Sequence, residues 1–275
     1  MTAAASGWLR FGILPALWLV SAALRGAEVP SLPLTDGEKL TFRVAWAIVP
    51  GAGEIKIAAQ HETVAGTPRL VVTTTTATRR LARFLLPFDA EAKSVFNLAT
   101  GQLVSLDEHS KQRDKVGELH VDFDLSARKA AYARKLPAES TESLDIPEGN
   151  PTDLIMGLLQ TRSWDLKPGE KRDALVLFDR DFYELTIYMA RYEDVRTPLG
   201  NFKATVLEPR MEKTPPKGMF KRGSSVRVWI AHDERHLPVK FEVEFKIGTG
   251  TATLEAYEAP AAKPAAAPHA PNPRS

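Results

Sequence analysis

The sequence predicts an all-β protein made of two related, curved antiparallel sheets, packed as a sandwich or as partly open barrels, with one short linking helix. Apolar and polar residues alternate through most of the chain, as in Leu237–Ile247, where Lys and Glu separate the apolar residues. Turn signals such as Pro50-Gly51 and Leu199-Gly200 separate the alternating runs. A single segment with helical spacing between two blocks of strands favours antiparallel sheet over β-α units.

Each alternating run predicts one strand, and one segment interrupts the series of runs. Strands are expected near 40–48, 53–61, 68–78, 91–98, 103–110, 117–124, 130–135, 172–179, 182–193, 201–208, 224–231, 237–247 and 250–257. The interruption is a predicted helix near 152–162. Thr152 is its expected N-cap and Asp153 lies in its first turn, where an acidic side chain is favourable.

The two blocks of strands are predicted to be related units, covering about 36–136 and 163–258. Gly37-Glu38-Lys39 recurs as Gly169-Glu170-Lys171, and the order of runs and turns agrees between the blocks. The alternative is coincidence, because alternating strands resemble one another easily. Under the first interpretation, 28–258 form one β-rich domain with the helix as its joint.

Both ends of the chain differ from the middle. Arg10 is followed by the apolar run Phe11–Ala23 and then by small residues, which predicts a signal peptide over 1–27 and a periplasmic protein. An uncleaved N-terminal anchor is the alternative. Residues 259–275 form an Ala/Pro tail that is expected to be disordered. The chain has no Cys, which excludes acylation as a lipoprotein as well as disulfides and thiolate sites.

Five local patterns connect this chain with a family. They are the opening GEKLTFRVAWAIVPGAGEIKI, the Asp-Leu-helix-Arg stretch 153–162, the hairpin VRTPLGNFKA, the Trp-x-x-x-Asp stretch before HLPVKFE, and the closing GTGTATLEAY. Together they resemble the bacterial domain of unknown function 3108 family, from about Thr35 to Tyr257. The resemblance implies an exported, β-rich envelope protein. It brings no established activity and no catalytic residues.

Known chemical signatures are not found in the sequence. A net charge of +2 gives no overall attraction to nucleic acid, so none is expected as a partner. His232 and His236 flank an expected hairpin turn rather than sharing one helical face, so they do not predict a zinc site. Glu242 and Glu244 alternate with core residues and should face water. We therefore expect no enzyme, no catalytic residue, no metal and no cofactor.

Two segments that are both basic and apolar are the candidates for a ligand groove. Arg79–Phe88 and Glu212–Gly223 would join equivalent strands of the two units and could rim one opening for an anionic amphiphile. The expected groove residues are Arg79, Arg83, Phe84, Leu86, Lys217, Met219, Phe220 and Lys221. The alternative is that both segments simply cover the ends of their sheets.

The first hairpin has an apolar turn, which is unusual because hairpin turns are commonly polar. Pro50 and Gly51 are expected to shape this turn, with Ile48, Val49 and Ala52 at its tip. The tip either packs under the other unit or rims a groove for an apolar ligand or partner.

These observations give three hypotheses of function. The first is a non-enzymatic periplasmic protein that binds an apolar or amphipathic envelope component, such as a lipid. The second is a structural or assembly protein that docks another envelope protein. The third, which the sequence does not favour, is an enzyme of unrecognised type.

Overall fold

The described residues form fifteen β-strands and two short helices. A computed structural model describes residues 32–246 and 248–260. The predicted signal peptide lies outside these residues, as does the predicted tail beyond 260. The first half contains β1 (Lys39–Trp46), β2 (Val49–Val64), β3 (Thr67–Thr78), α1 (Arg80–Leu85), β4 (Phe88–Asn97), β5 (Leu103–Gln112), β6 (Lys115–Asp124), β7 (Lys129–Leu136) and β8 (Ser140–Asp145). The second half contains β9 (Pro151–Asp153), α2 (Leu154–Leu159), β10 (Lys171–Phe178), β11 (Asp181–Thr197), β12 (Gly200–Arg210), β13 (Ser225–Ala231), β14 (Pro238–Phe245) and β15 (Gly248–Glu258).

All fifteen strands belong to one open sheet. Its order is β8-β7-β6-β5-β4-β3-β2-β1-β15-β14-β13-β12-β11-β10-β9, so each half of the chain is a meander and β1 joins them by pairing with β15. The all-β prediction with a short linking helix is confirmed. The prediction of two sheets is corrected, because β1 and β15 pair along the whole length of β1 and make the sheet continuous.

The linking helix is shorter than predicted and is capped by a different residue. α2 covers Leu154–Leu159 and continues as a 3-10 turn, Gln160–Ser163, rather than as one helix over 152–162. Thr152 lies in β9. Asp153 is the N-cap, and its Oδ1 accepts a hydrogen bond of 2.8 Å from the backbone N–H of Met156.

The two meanders open with the same kind of turn. The N–H of Gly37 donates to the carbonyl of Ala59 at 2.8 Å, and the N–H of Gly169 donates to that of Met189 at 2.9 Å. In each turn the glutamate that follows the glycine accepts a hydrogen bond from a backbone N–H three residues earlier. Strands β1–β6 and β10–β15 run in the same order. Descent of the two units from one ancestor stays a prediction.

Alternate turns of a meander fall on the same rim of the sheet. The β1–β2 hairpin, α1, the β5–β6 turn, the β12–β13 connection and the β14–β15 hairpin share one rim, called here the α1 rim. The opposite rim holds the start of β1 and the end of β15, where Lys39 pairs with Glu258.

Strand β10 packs against side chains from both halves of the sheet. Ala174 and Val176 belong to a cluster with β11 and β13, whereas Leu175 and Leu177 pack with Leu106, Val121 and Tyr132 of the first meander. A third cluster combines β1 and β2 with β14, β15 and α2. The sheet is therefore curled so that its second half packs on its first.

The curled sheet is held together across its interior by polar side chains. Ser94 Oγ on β4 donates to Asp153 Oδ2 at 2.6 Å, and Tyr132 Oη on β7 donates to Asp179 at 3.0 Å. Glu108 on β5 lies near both aspartates. Burial, with the Asp153 and Asp179 carboxylates, raises the pKa of Glu108 to about 7. Burial also raises the pKa of Asp153.

A buried ion pair connects three segments at the opposite rim. Arg162 Nη1, after α2, lies 2.8 Å from Glu38 Oε1, with only 11% and 4% of the two side chains exposed. The guanidinium also donates to the carbonyls of Pro33, Arg235 and His236. Arg162 thus joins the start of β1, the linking helix and the β13–β14 turn.

Replacing Arg162 by Ala should lower the free energy of unfolding by about 3–5 kcal/mol, because Glu38 is left buried without its partner. Urea unfolding measures the change. The control is Arg191→Ala, since Arg191 and Glu193 form an exposed pair whose loss costs about 1 kcal/mol or less. Equal small losses in both variants would contradict this role of Arg162.

The free energy of unfolding should fall as the pH rises, because Glu108 loses a proton that the folded protein holds more tightly than the unfolded chain does. A glutamate in an unfolded chain has a pKa of about 4.3, so between that pH and about 7 the folded protein holds the extra proton. The free energy of unfolding therefore decreases across this window, by on the order of 1–3 kcal/mol, and the loss is complete above it.

Urea unfolding of Glu108→Gln on both sides of this window tests the effect, because the amide does not titrate. The variant should lose this part of the pH dependence and be more stable than the parent at alkaline pH. Glu91→Gln, on the exposed face of β4, should keep it. A pH dependence unchanged in Glu108→Gln would show that this carboxyl is not responsible.

Candidate functional site

The β1–β2 hairpin turns earlier than the sequence predicted. Its two turn residues are Ala47 and Ile48, and Trp46 pairs with Val49 across the turn. The expected turn residues Pro50 and Gly51 instead form a bulge, because the next pair is Val44 with Gly53. Proline suits a bulge since it has no N–H to leave unpaired.

The three predicted tip residues therefore have different environments. Ile48 is at the tip with 95% of its surface exposed, so it does not pack under the other half of the sheet. Val49 is half-buried, and Ala52, in the bulge, is buried beneath the start of α1. Its carbonyl accepts a hydrogen bond of 2.8 Å from the N–H of Arg79.

Helix α1 is short, and hydrogen bonds from Thr78 and Arg113 fix its C-terminal end. The Oγ1 of Thr78 donates to the carbonyl of Leu86 at 2.9 Å and accepts from the N–H of Phe88 at 3.0 Å. Arg113, in the β5–β6 turn, donates to the carbonyl of Leu85 at 2.8 Å. These bonds hold in place a helix that has no buried residue of its own.

An apolar cleft of about 410 Å³ lies between α1 and the first hairpin. No charged side chain lines it, and its polar side chains are two threonines. Its lining consists of Val44, Trp46, Val49, Ala52, Gly53, Thr76, Ala77, Thr78, Leu81, Ala82, Leu85, Leu86 and Phe88. Other clefts of the sheet, such as one beside Glu91, Lys93 and Glu108, are lined by charged groups.

The surroundings of this cleft hold most of the exposed apolar surface of the described residues. Six of the eleven exposed large apolar side chains lie at the hairpin tip or on α1 and the residue after it. They are Trp46, Ile48, Leu81, Phe84, Leu85 and Leu86. Phe84, with 84% of its surface exposed, points away from the cleft and does not line it.

The predicted anion-binding arginines are already paired within the protein. Arg79 lies 2.8 Å from Glu54 on β2, and Arg83 lies 2.7 Å from Asp89 on β4. Both pairs hold α1 to neighbouring strands. The sequence could not indicate the first, because Arg79 and Glu54 are 25 residues apart in the chain. Of the predicted groove residues in this segment, only Leu86 lines the cleft.

The second basic and apolar segment lies on the same rim but does not reach this cleft. Phe220, in the 3-10 turn Gly218–Phe220, packs on Tyr183 with ring centroids 5.9 Å apart. Lys217 Nζ lies 2.7 Å from Asp181. Met219 is half-buried and Lys221 is exposed. Phe220 lines a separate cleft with Arg210, Arg227 and other residues, so the two segments do not rim one opening.

Sequence reasoning missed several residues that form the cleft. Val44 and Trp46 come from β1, and Thr76 and Thr78 come from β3, which the sequence gave no reason to connect with α1. A signal for the helix was present, because Leu81 and Leu85 are four residues apart and face the same side.

Two classes of site are not found in the described part of the chain. Residues 32–246 and 248–260 contain no group of three or more His, Asp or Glu side chains placed to hold a metal ion. None of the helices in the same residues combines the length and the apolarity needed to cross a membrane.

A family model for DUF3108, described as a protein of unknown function, matches residues 41–255. The chain belongs to the DUF3108 family. The match includes all residues that line the cleft, from Val44 to Phe88, so the cleft lies within the family domain. No curated protein matches the chain.

Solved structures provide a comparison of fold for this DUF3108 chain. A beta-barrel-like protein of domain of unknown function DUF1849 from Brucella abortus has a TM-score of 0.52 at 6% identity, covering 80% of this chain and 96% of that one. A protein from Bacteroides fragilis, provisionally described as exported with a YmcC-like fold, has a TM-score of 0.35 at 14% identity, covering 83% and 98%. The first shows a shared β-rich fold.

The attachment of α1 to the sheet should depend on Thr78. Thr78→Val keeps the shape of the side chain but removes its bonds to Leu86 and Phe88, so α1 should detach more often. Under native conditions trypsin should then cleave after Arg79, Arg80 or Arg83 roughly fivefold faster or more. Thr75→Val, on the same strand, is the control because Thr75 does not line the cleft. Equal cleavage rates in both variants would contradict the tethering.

Proposed function

We propose that this DUF3108 protein is a non-enzymatic exported protein that holds an apolar or amphipathic envelope component in the cleft under α1. The observation that carries the proposal is the cleft itself, with about 410 Å³ of space and no charged lining side chain. Small-molecule sites have about 300–1,000 Å³ and mostly apolar walls, so the cleft has the size and chemistry of such a site.

The energetics favour an acyl chain or another elongated apolar group. Each methylene moved from water into this lining gains about 0.8 kcal/mol. The walls offer two threonine hydroxyls and no charged group, so an ionised headgroup would remain outside in water. The ligand would therefore be an amphiphile whose tail enters between Leu81 and Leu85 of α1 and Val49 of β2.

The proposal of export comes from the N-terminal sequence. The apolar run Phe11–Ala23, followed by small residues, is typical of a signal peptide. The lack of Cys argues against an acylated N-terminus. An exported protein meets lipids and lipid-like polymers in the envelope, which is consistent with the apolar lining.

Binding of dansyl-undecanoic acid, a fluorescent fatty-acid analogue, tests the cleft. The protein should bind this probe, and Leu81→Asp/Leu85→Asp should weaken binding by about tenfold or more, because two carboxylates then face the tail. Both leucines are more than half exposed, so the double variant should stay folded, which circular dichroism checks.

Leu199→Asp is the matched control, because Leu199 is an exposed leucine on the opposite rim. It should bind the probe as the parent does. Native mass spectrometry of the purified protein would in addition identify any lipid retained from the cell. Unchanged probe binding in the folded Leu81→Asp/Leu85→Asp variant would overturn the proposed cleft.

A further inference from the structure

Two of the most exposed apolar side chains stand beside the cleft without lining it. Ile48 is 95% exposed at the hairpin tip, and Phe84 is 84% exposed on α1. Helix α1 packs against β2, so the tip and the helix lie side by side. A ligand in the cleft would not cover either side chain. Large apolar surfaces left in water are typical of sites that meet a protein or a membrane.

We propose that the α1 rim docks on the surface of an anionic lipid bilayer, with Ile48 and Phe84 inserted among the lipids. This inference goes beyond the cleft, since it concerns other side chains and a different partner. A peripheral segment of this kind combines apolar side chains that enter the bilayer with basic side chains that contact the headgroups.

The charge of the rim favours an anionic surface. The turns and connections of the α1 rim, counted outside the strands, contain ten Lys or Arg and four Asp or Glu residues, in segments 47–48, 79–87, 113–114, 137–139, 179–180, 211–224 and 246–247. The opposite rim contains four Lys or Arg and seven Asp or Glu residues, in segments 32–38, 65–66, 98–102, 125–128, 146–150, 160–170, 198–199 and 232–237. The turns of the α1 rim are thus net basic and those of the opposite rim are net acidic, and the charge that the α1 rim offers to a surface comes from its basic residues without a carboxylate partner in the described part of the chain.

Several basic side chains of the α1 rim are exposed and directed to solvent. Lys111, Lys221 and Lys246 are exposed, and none has a carboxylate within ion-pair distance among the described residues. Lys111 stands at the end of β5 that reaches this rim, and the other two come from the β12–β13 connection and the β14–β15 hairpin. An anionic bilayer attracts such side chains by about 1 kcal/mol each near its surface.

The placement of the apolar side chains suits insertion. Ile48 lies in a two-residue turn, and Phe84 lies in a helix whose C-terminal end is bonded to Thr78 and Arg113, so little further ordering is needed on docking. β1 begins and β15 ends at the opposite rim. Docking through the α1 rim would also place the mouth of the cleft at the lipid surface.

Co-sedimentation with phosphatidylglycerol vesicles tests the inference, with phosphatidylcholine vesicles for comparison. The protein should partition onto the anionic vesicles and much less onto the neutral ones. Ile48→Asp/Phe84→Asp should lower this partitioning by roughly tenfold or more. The same variant should bind dansyl-undecanoic acid as the parent does, since neither residue lines the cleft.

Two control variants at the opposite rim, Leu199→Asp and Lys167→Glu, separate this effect from a general change of charge. Leu199→Asp should leave vesicle binding unchanged. Lys111→Glu/Lys221→Glu/Lys246→Glu should weaken binding to anionic vesicles by roughly tenfold or more, whereas Lys167→Glu at the opposite rim should not.

The inference is overturned if the parent does not sediment with the anionic vesicles, or if the folded Ile48→Asp/Phe84→Asp variant sediments as the parent does. Equal binding to neutral and anionic vesicles would overturn the role of the basic side chains. Crosslinking from position 84 to an envelope protein, without vesicle binding, would assign the rim to a protein partner instead. If the parent protein binds the anionic vesicles but not dansyl-undecanoic acid, the proposed cleft is refuted and the docking of the rim is not.

Discussion

The rest of the structure depends on the pairing between the first strand and the last one. β1 pairs with β15 along its whole length, from Lys39 opposite Glu258 to Trp46 opposite Gly250. This pairing turns two meanders into one sheet and brings Phe42 into the same core as Val239 and Leu254. It also brings together residues as far apart in the chain as Lys39 and Glu258, which are separated by 219 positions, and non-local pairing of this kind slows folding.

The ends of this sheet meet through side chains, while β8 and β9 remain its two edge strands. Ser94 and Asp153, with Tyr132 and Asp179, form polar contacts across the curled interior, and Leu175 and Leu177 pack beside them. The cost of these contacts is the burial of the Glu108 and Asp153 carboxyl groups, which makes the stability of the folded sheet depend on protonation.

The functional proposals follow from how a meander distributes its turns. Every second turn falls on the same rim, so segments that are remote in sequence become neighbours there. The cleft takes its walls from β1, β2, β3 and α1, and the exposed basic side chains of the same rim come from β5, the β12–β13 connection and the β14–β15 hairpin. The family match and the β-rich solved structure describe the scaffold, whereas the cleft and its rim supply the chemistry that the proposals use.

The sequence by itself determined the class of the fold, because alternation of apolar and polar residues is a local property of each strand. It also indicated that Arg79–Phe88 and the first hairpin were unusual, since both are apolar where solvent is expected. β8 was missed because Ser140–Asp145 carries no alternation, and β9 because it has only three residues. Tertiary structure alone decided that Arg79 pairs with Glu54, that Phe220 packs on Tyr183, and that the hairpin tip, rather than the second basic segment, lies beside α1. Such contacts depend on strand register and on the curvature of the sheet, which arise from the packing of the whole chain and not from any one segment.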